Sequence, residues 1–270
     1  MFTPRLASCA RVLLLAAVPA FLAAAPTALG AAAADEQKSR ANEAAYVTCM
    51  ELARRAPQDA IARAEGLYKA GAQQPSRHCL ATALLTLGRA AQAAKVFLDL
   101  ARDMTGAEPA ERSEAFGQAG RAWLEAGEVA RAEAAYSEAL GFAPNDALRL
   151  IDRAIARGAQ GRDFEALDDL NRAVELAPGV TDARILRAAA NRRVGAGELA
   201  DVDIAEALRI DPGSAAAWLE KGLLAQSRKR PAEARAAFAR AVELDPSGPT
   251  GLTAVAALKK LGVPAQPVGR

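Results

Sequence analysis

Aromatic residues and histidine are scarce in this chain of 270 residues. Aromatic side chains make up 4% of it, and His78 is its single histidine. Strand-forming residues are few and alanine occurs throughout, which excludes an all-β fold. The sequence also lacks a Gly-rich phosphate loop, a Cys-x-x-Cys pair and a repeated His-x-x-His spacing. We therefore predict no catalytic residues, no metal site and no cofactor. An enzyme with a dispersed pair of acids stays open as an alternative.

Acidic residues are absent from the first 34 positions. Arg5 and Arg11 precede an apolar run, Val12 to Ala25, and small residues follow up to Ala34. This order is typical of a secretory signal peptide, so we predict one over residues 1–34, with cleavage at or shortly before Ala34. The sequence therefore predicts an exported protein.

Two alternatives to a cleaved signal peptide are an uncleaved membrane anchor and a lipoprotein signal. Pro19, Pro26 and Gly30 interrupt the apolar run, which argues against an anchor. The segment Leu6-Ala7-Ser8-Cys9 is similar to a lipoprotein cleavage box, but it lies before the apolar run. We therefore expect no stable membrane span after signal cleavage.

Net charge is also missing from the predicted mature chain. Cleavage removes two of the 34 basic residues and none of the 32 acidic ones, leaving 32 of each. A neutral chain has no overall electrostatic reason to bind nucleic acid, so we predict no nucleic-acid partner. Cleavage also removes Cys9, which leaves Cys49 and Cys79 in a compartment where disulfides persist.

The chain repeats itself every 34 residues. Similar segments end at four prolines with this spacing: Pro144, Pro178, Pro212 and Pro246. A fixed period of this size indicates stacked supersecondary units. The units begin at Ser113, Ala147, Thr181 and Ala215, and an earlier unit begins at Gln74. The step from Gln74 to Ser113 implies an insertion of about five residues near 104–112, counted against the 34-residue period of such arrays. A degenerate unit occupies 35–73.

Each unit is predicted to form two helices. With unit position 1 at the residues just named, a glycine follows the first helix at position 15, as Gly88, Gly127, Gly161 and Gly195. Glycine ends a helix readily because it adopts positive φ. The proline at position 32 stops the second helix, which we expect to end near position 30.

Small residues recur where the two helices of a unit would meet. Position 8 is always small, position 20 is always alanine and position 24 is always bulky. These sets are Ala81, Gly120, Ala154, Ala188 and Gly222; Ala93, Ala132, Ala166, Ala200 and Ala234; and Phe97, Tyr136, Leu170, Ile204 and Phe238. Small residues let the two backbones approach, and the bulky residue fills the groove against the next unit.

These residues resemble the tetratricopeptide repeat family, whose pattern has aromatic residues at positions 4 and 24, small residues at 8, 20 and 27, and proline at 32. The last unit carries Trp218, Gly222, Ala234, Phe238, Ala241 and Pro246. The resemblance implies an all-α, right-handed solenoid of about six helix-turn-helix repeats. Five of them cover 74–248 in register. We predict a capping helix over 249–261 and a mobile tail over 262–270.

Two units depart from the family pattern together. Position 7 is Arg153 and Arg187, and position 23 on the partner helix is Asp169 and Asp203. We infer an Arg–Asp pair across the two helices of each unit, which specifies geometry more than it adds stability. Independently solvated charges are the alternative.

Cys49 and Cys79 both fall near position 6 of a first helix, if the first unit begins near Ala44. Equivalent positions in neighbouring units face the same side of a stack, so a disulfide between the two residues is plausible. The alternatives are two small buried side chains or a metal site with His78, for which further ligands are missing.

First helices line a concave groove in the family. The resemblance therefore implies a partner-binding groove at Arg121, Leu124, Ile151, Ile155, Ile185, Ala189, Arg192, Leu219 and Leu223. Its apolar residues favour the docking of an apolar peptide or helix. The alternative is that these residues pack neighbouring first helices. The family's carboxylate-clamp type has Asn at position 9, which is absent here.

Arginines also concentrate near the turns between helices, as Arg89, Arg157, Arg162, Arg192, Arg193 and Arg228-Lys229-Arg230. We therefore predict a non-catalytic scaffold or adaptor of a bacterial envelope, periplasmic or envelope-associated, that binds a protein or peptide partner. The alternative is an accessory subunit that contacts anionic envelope polymers through this basic rim. The bacterial assignment follows from the resemblance and the Ala/Arg-rich composition.

Overall fold

The computed structural model describes residues 28–262, with side chains from Asp35 onward. The predicted signal peptide up to residue 27, and the predicted tail after Gly262, lie outside the described residues. The chain divides into two compact units between Ala41 and Asn42, and the packing below is that of the second unit.

Residues 28–262 contain thirteen α-helices and no strand. They are α1 (Ala28–Arg55), α2 (Pro57–Lys69), α3 (Gln73–Thr86), α4 (Ala90–Asp103), α5 (Pro109–Glu125), α6 (Val129–Phe142), α7 (Ala147–Ala159), α8 (Asp163–Leu176), α9 (Thr181–Arg193), α10 (Gly197–Ile210), α11 (Ala215–Ser227), α12 (Pro231–Leu244) and α13 (Pro249–Lys260). The first twelve pair into six helical hairpins, α1–α2 through α11–α12. The predicted all-α solenoid is thus confirmed.

The helices follow the 34-residue register closely. Helices α7, α9 and α11 begin on the predicted unit starts, and α8, α10 and α12 end two residues before the position-32 prolines. The extra residues before Ser113 form the loop 104–108 and an added turn at the start of α5, which begins at Pro109. The insertion therefore lengthens a first helix without disturbing the stack.

The turns after the first helices α3, α5, α7, α9 and α11 have a left-handed residue at position 15. Gly88, Gly127, Gly161 and Gly195 have φ between 69° and 84°. In the last unit this position is Lys229, with φ 58°, the single non-glycine residue with positive φ among the described residues. The backbone keeps its turn even where the sequence supplies no glycine.

Position 8 is small because the side chain at position 24 lies directly on it. A Cβ atom on Gly120 would lie 2.5 Å from the Tyr136 ring, and one on Gly222 would lie 2.5 Å from the Phe238 ring. Tyr136 and Phe238 are completely buried. These contacts hold the two helices of a unit together, as the sequence predicts.

Neighbouring first helices contact one another: α5 contacts α7, α7 contacts α9, and α9 contacts α11. The first helices therefore line the inner face of the stack, and the second helices form its outer face. At the C-terminal end, α13 packs against α11 and α12. Ala254, Leu258 and Leu261 pack near Phe238, so α13 covers the last hairpin.

Candidate interaction surface

Two residues of the predicted groove are buried. Ile151 is 6% exposed and packs with Leu140 and Val174. Ile185 is 8% exposed and packs with Ala207 and Ala217. Both side chains fill the junction between one hairpin and the next, as the packing alternative proposed. The prediction that they form part of an exposed apolar stripe is therefore wrong.

The remaining predicted groove residues are accessible to different degrees. Ile155 on α7 is 39% exposed and Arg121 on α5 is exposed, whereas Leu124, Ala189 and Arg192 are half-buried. Leu219 and Leu223 are also half-buried, because they pack into the apolar cluster beneath α13.

Leu148 is an exposed apolar residue of this face that the candidate set omits. It lies at position 2 of its unit, seven residues before Ile155, so the two side chains share one face of α7. Neither residue belongs to an apolar packing cluster. A cavity of about 230 Å³ adjoins Ile155 and is lined also by Gly158, Leu186 and Arg193.

A cluster of charged residues occupies the inner face beside Arg121. Glu114 accepts hydrogen bonds from Arg121 (3.0 Å), Gln118 (3.3 Å) and Arg149 (3.4 Å). Arg149 is almost completely buried and also lies 3.1 Å from a carboxylate oxygen of Asp152. Burial raises the pKa of Asp152, and the charge of Arg149 opposes that rise.

Gly117 makes room for the buried arginine. A Cβ atom on Gly117 would lie 1.9 Å from an Nη atom of Arg149. The sequence analysis did not predict this contact, because it compared equivalent unit positions and not Gly117 with Arg149. The sequence does contain a signal for this contact. A glycine lies inside the first helix of one unit, and an arginine lies near the start of the first helix of the next unit.

His78 continues the polar part of the inner face toward the N-terminus. Its Nδ1 atom lies 2.8 Å from the Tyr46 hydroxyl, in a hydrogen bond between α1 and α3. Burial lowers the pKa of His78, and its hydrogen bond with Gln118 and the charge of Glu114 act in the opposite direction. The neutral imidazole is therefore favoured.

The predicted basic rim is largely neutralised by ion pairs. Arg157 and Arg162 pair with Glu133, Arg193 pairs with Asp163, and Arg228 pairs with Asp201. Arg192 pairs with the buried Glu220. Burial raises the pKa of Glu220, whereas Arg192 acts to lower it. These pairs reduce the positive charge of the rim, although Arg157 and Arg162 share one glutamate and no ion pair involves Arg89 or Lys229 among the described residues.

Both predicted Arg–Asp pairs are present. Arg153 donates to the two carboxylate oxygens of Asp169 at 2.9 and 2.7 Å. Arg187 does the same to Asp203 at 2.8 and 2.6 Å. Both aspartates are buried, which excludes the alternative of separate solvated charges. Each bidentate pair fixes the orientation of one helix against its partner.

A disulfide joins Cys49 on α1 to Cys79 on α3, with their Cα atoms 6.0 Å apart. It links the degenerate first hairpin to the second, at the position the sequence suggests. Both residues are completely buried in a cluster with Ala53, Ala60 and Ala64.

No group of three or more His, Cys, Asp or Glu side chains suited to a metal ion occurs among the described residues. None of the helices within residues 28–262 combines the length and the apolar character that a membrane span requires.

Comparison with known proteins assigns the fold. Residues 215–247 match the family model of the tetratricopeptide repeat. A tetratricopeptide repeat protein from Parabacteroides merdae shares 18% identity, with a TM-score of 0.58 over 70% of this chain and 73% of that one. MamA from Desulfovibrio magneticus shares 19% identity, with a TM-score of 0.56 over 65% of this chain and 97% of that one.

YrrB, described as a protein of this type with an unusual peptide-binding site, shares 19% identity, with a TM-score of 0.52 over 70% of this chain and 95% of that one. A comparison with curated protein sequences finds no match. Residues 215–247 thus match one tetratricopeptide repeat, and the likeness to these solved structures shows that the chain shares their fold.

Proposed function

We propose that this protein is a non-catalytic scaffold that binds a partner polypeptide on its inner face. The observation that carries the proposal is the exposure of Leu148 and Ile155 on α7, neither of which belongs to a buried apolar cluster of the stack. Apolar side chains of this kind, beside a cavity, suit a peptide or helix whose own apolar residues dock there. The peptide-binding site described for YrrB supports the same reading.

The polar residues of this face set the orientation of the partner. Arg121 and Glu114 are exposed on α5, one hairpin away from Leu148 and Ile155. A partner would meet an apolar surface on α7 and a charged surface on α5, which favours one direction of binding over the reverse.

We also propose that the protein acts in a bacterial envelope, as an adaptor or assembly factor. The signal-peptide pattern of residues 1–34 and the disulfide between Cys49 and Cys79 support export to an oxidising compartment. The ion pairs of the rim weaken the case for binding of anionic polymers, so a protein partner is the function proposed here.

A cross-linking pull-down from the envelope fraction tests the inner face. The variant Leu148→Glu/Ile155→Glu should recover at least tenfold less partner than the unmodified protein, because two charges would enter the apolar contact. Leu252→Glu is the matched control, since Leu252 is similarly exposed but lies on α13. Leu223 is a poorer probe because it packs beneath α13.

Equal recovery of the partner by the unmodified protein and the inner-face variant would exclude the inner face. The envelope location is tested separately by cell fractionation and N-terminal sequencing. We expect a mature N-terminus at or near Asp35 in the exported fraction. A cytoplasmic protein that retains Met1 would contradict the location without affecting the inner-face proposal.

A further inference from the structure

An apolar cleft lies on the outer face, between α8 and α10. This cleft, the outer cleft hereafter, is lined by Leu167 and Asn171 on α8 and by Leu199 and Val202 on α10. Phe164 lies one turn before Leu167 on the same stripe of α8. A cavity of about 330 Å³ lies between the walls, and Arg187 and Asp203 form part of its floor.

Two large apolar side chains of this cleft, and Phe164 next to it on α8, are exposed to solvent. Phe164 is 71% exposed, Val202 is 64% exposed and Leu199 is 59% exposed. None of the three belongs to an apolar packing cluster of the stack. A contiguous exposed apolar surface of this kind marks an interaction site more often than a packing requirement.

The neighbouring clefts show that the repeat does not need these side chains. At the same unit positions, the cleft between α6 and α8 has Ala130, Glu133, Ser137, Glu165 and Asp168, and the cleft between α10 and α12 has Glu198, Asp201, Ala205, Glu233 and Ala236. Alanines and charged residues therefore serve the fold equally well. The fold therefore does not explain the apolar side chains of the outer cleft.

Exposed acids lie on the two helices that form the outer cleft, at positions that also border the neighbouring clefts. Glu165 and Asp168 on α8 and Glu198 on α10 are exposed, and no ion pair involves them among the described residues. The other acids in the first halves of these helices pair with arginines, as Asp163 does with Arg193 and Asp201 with Arg228. The uncompensated charge attracts a basic partner and repels an anionic membrane surface.

The floor of the cleft favours a helical partner over an extended one. Arg187 donates to Asp203 and to the Asn171 side chain (3.1 Å), so these polar groups are already satisfied. An extended peptide would bring unpaired backbone groups against an apolar wall, whereas a helix satisfies its own backbone. Walls with side chains spaced three residues apart also match the stripe of an amphipathic helix.

We propose that the outer cleft binds an amphipathic, basic helix of a partner protein. The helix would place two or three bulky apolar side chains against Phe164, Leu199 and Val202, with lysines or arginines facing Glu165, Asp168 and Glu198. This site lies on the face opposite to Leu148 and Ile155, so it is independent of the inner-face proposal.

Fluorescence anisotropy with a labelled synthetic helix tests the proposal. The probe is a 16-residue amphipathic peptide with leucines on one face and lysines on the other, and its partner peptide has glutamate in place of every lysine. We expect the lysine peptide to bind and the glutamate peptide to bind at least tenfold more weakly. Leu199→Glu should weaken binding of the lysine peptide at least tenfold, because a carboxylate would enter the apolar wall.

The controls separate this site from general attraction. Leu252→Glu has the same charge change at a residue of equal exposure, 59%, and should bind like the unmodified protein. Each variant is also measured in the Leu148→Glu/Ile155→Glu background, which removes the inner face as a second site for the amphipathic peptide. Asp168→Lys/Glu198→Lys should reverse the preference toward the glutamate peptide. Circular dichroism confirms that each variant is folded.

Several outcomes would overturn the proposal. One is equal affinity of Leu199→Glu and Leu252→Glu, and another is equal affinity for the two peptides. Much tighter binding by a chain that ends at Gly262 would show that the chain's own C-terminal residues occupy the cleft. A dimer in light scattering that Leu199→Glu converts to a monomer would show that a second copy occupies it.

Discussion

Lys229 occupies a backbone conformation that four other units give to glycine. Its φ of 58° places a side chain in the left-handed region, which costs about 1 kcal/mol relative to glycine. We expect Lys229→Gly to raise the free energy of unfolding by roughly that amount, about 1 kcal/mol, in urea denaturation. Lys229→Ala keeps the Cβ atom and should bring no gain. Equal stability of the two variants would contradict the strain.

His78 makes stability depend on pH near neutrality. Burial lowers its pKa in the folded state below the unfolded value of 6.5. The unfolded chain therefore binds the proton first, and stability falls as the pH drops below about 6.5, until the folded pKa is passed. Tyr46, Gln118 and Glu114 face the imidazole ring, and a substitution of His78 leaves all three unchanged.

Thermal unfolding at pH 7 and pH 5 measures this effect. His78→Gln should show a smaller difference between the two midpoints than the unmodified protein. Asp152 and Glu220 have raised pKa values and act in the opposite direction as the pH falls, but they are present in both proteins and so cancel. An unchanged pH dependence in His78→Gln would exclude the role of His78.

At the residue scale, the sequence predicted the pairing of Arg153 and Arg187 with their aspartates because the two residue types appear together in two units. It did not predict the burial of Arg149, because a single occurrence leaves no pattern to compare. Ile151 and Ile185 were assigned to the groove because unit position alone does not separate a side chain that faces solvent from one that faces the next hairpin.

Within a helical hairpin, the residue at position 8 and the residue at position 24 act together. Gly222→Ala should reduce the free energy of unfolding by about 1–3 kcal/mol, because its Cβ atom would lie 2.5 Å from the Phe238 ring. In a Phe238→Leu background the same change should be neutral or stabilising, since Ala154 and Leu170 already coexist in another unit. Equal effects in both backgrounds would contradict the contact.

The Arg187–Asp203 pair connects the two helices of one hairpin. Arg187→Met should cost roughly 3–5 kcal/mol, because it leaves the buried Asp203 without its bidentate partner. Adding Asp203→Leu should recover much of that loss, since no buried charge remains. Chemical denaturation of the two single variants and the double variant measures the coupling. Additive losses would show that the two residues do not interact.

At the scale of helices, the starts of α7, α9 and α11 and the ends of α8, α10 and α12 follow directly from the sequence. Glycine and proline mark these points by local backbone chemistry, which needs no tertiary context. The start of α1 could not be placed, because Gly30 lies inside the helix and the alanine-rich sequence from there to Cys49 contains no further glycine or proline. The cleft between α8 and α10 was also missed, because sequence reasoning followed the first helices alone.

At the scale of the whole molecule, the disulfide is the one covalent bond between side chains of different hairpins among residues 35–262. It closes a loop with a sequence separation of 30 residues between Cys49 and Cys79. Cys49→Ala/Cys79→Ala should lower the free energy of unfolding by about 2–4 kcal/mol. Hydrogen exchange should show the loss concentrated in α1 and α2, with α7 to α13 unaffected. Two free thiols in the exported protein would contradict the bond.

The stacking of hairpins in register has a consequence for how such a chain changes over generations. The main contacts join each helix to its sequence neighbours or to the nearest first helix of the next hairpin. Duplication or deletion of a whole 34-residue segment in the interior would therefore preserve most contacts of the remaining hairpins, provided that α13 still closes the end. The reach of the inner face can thus lengthen or shorten in steps of one hairpin.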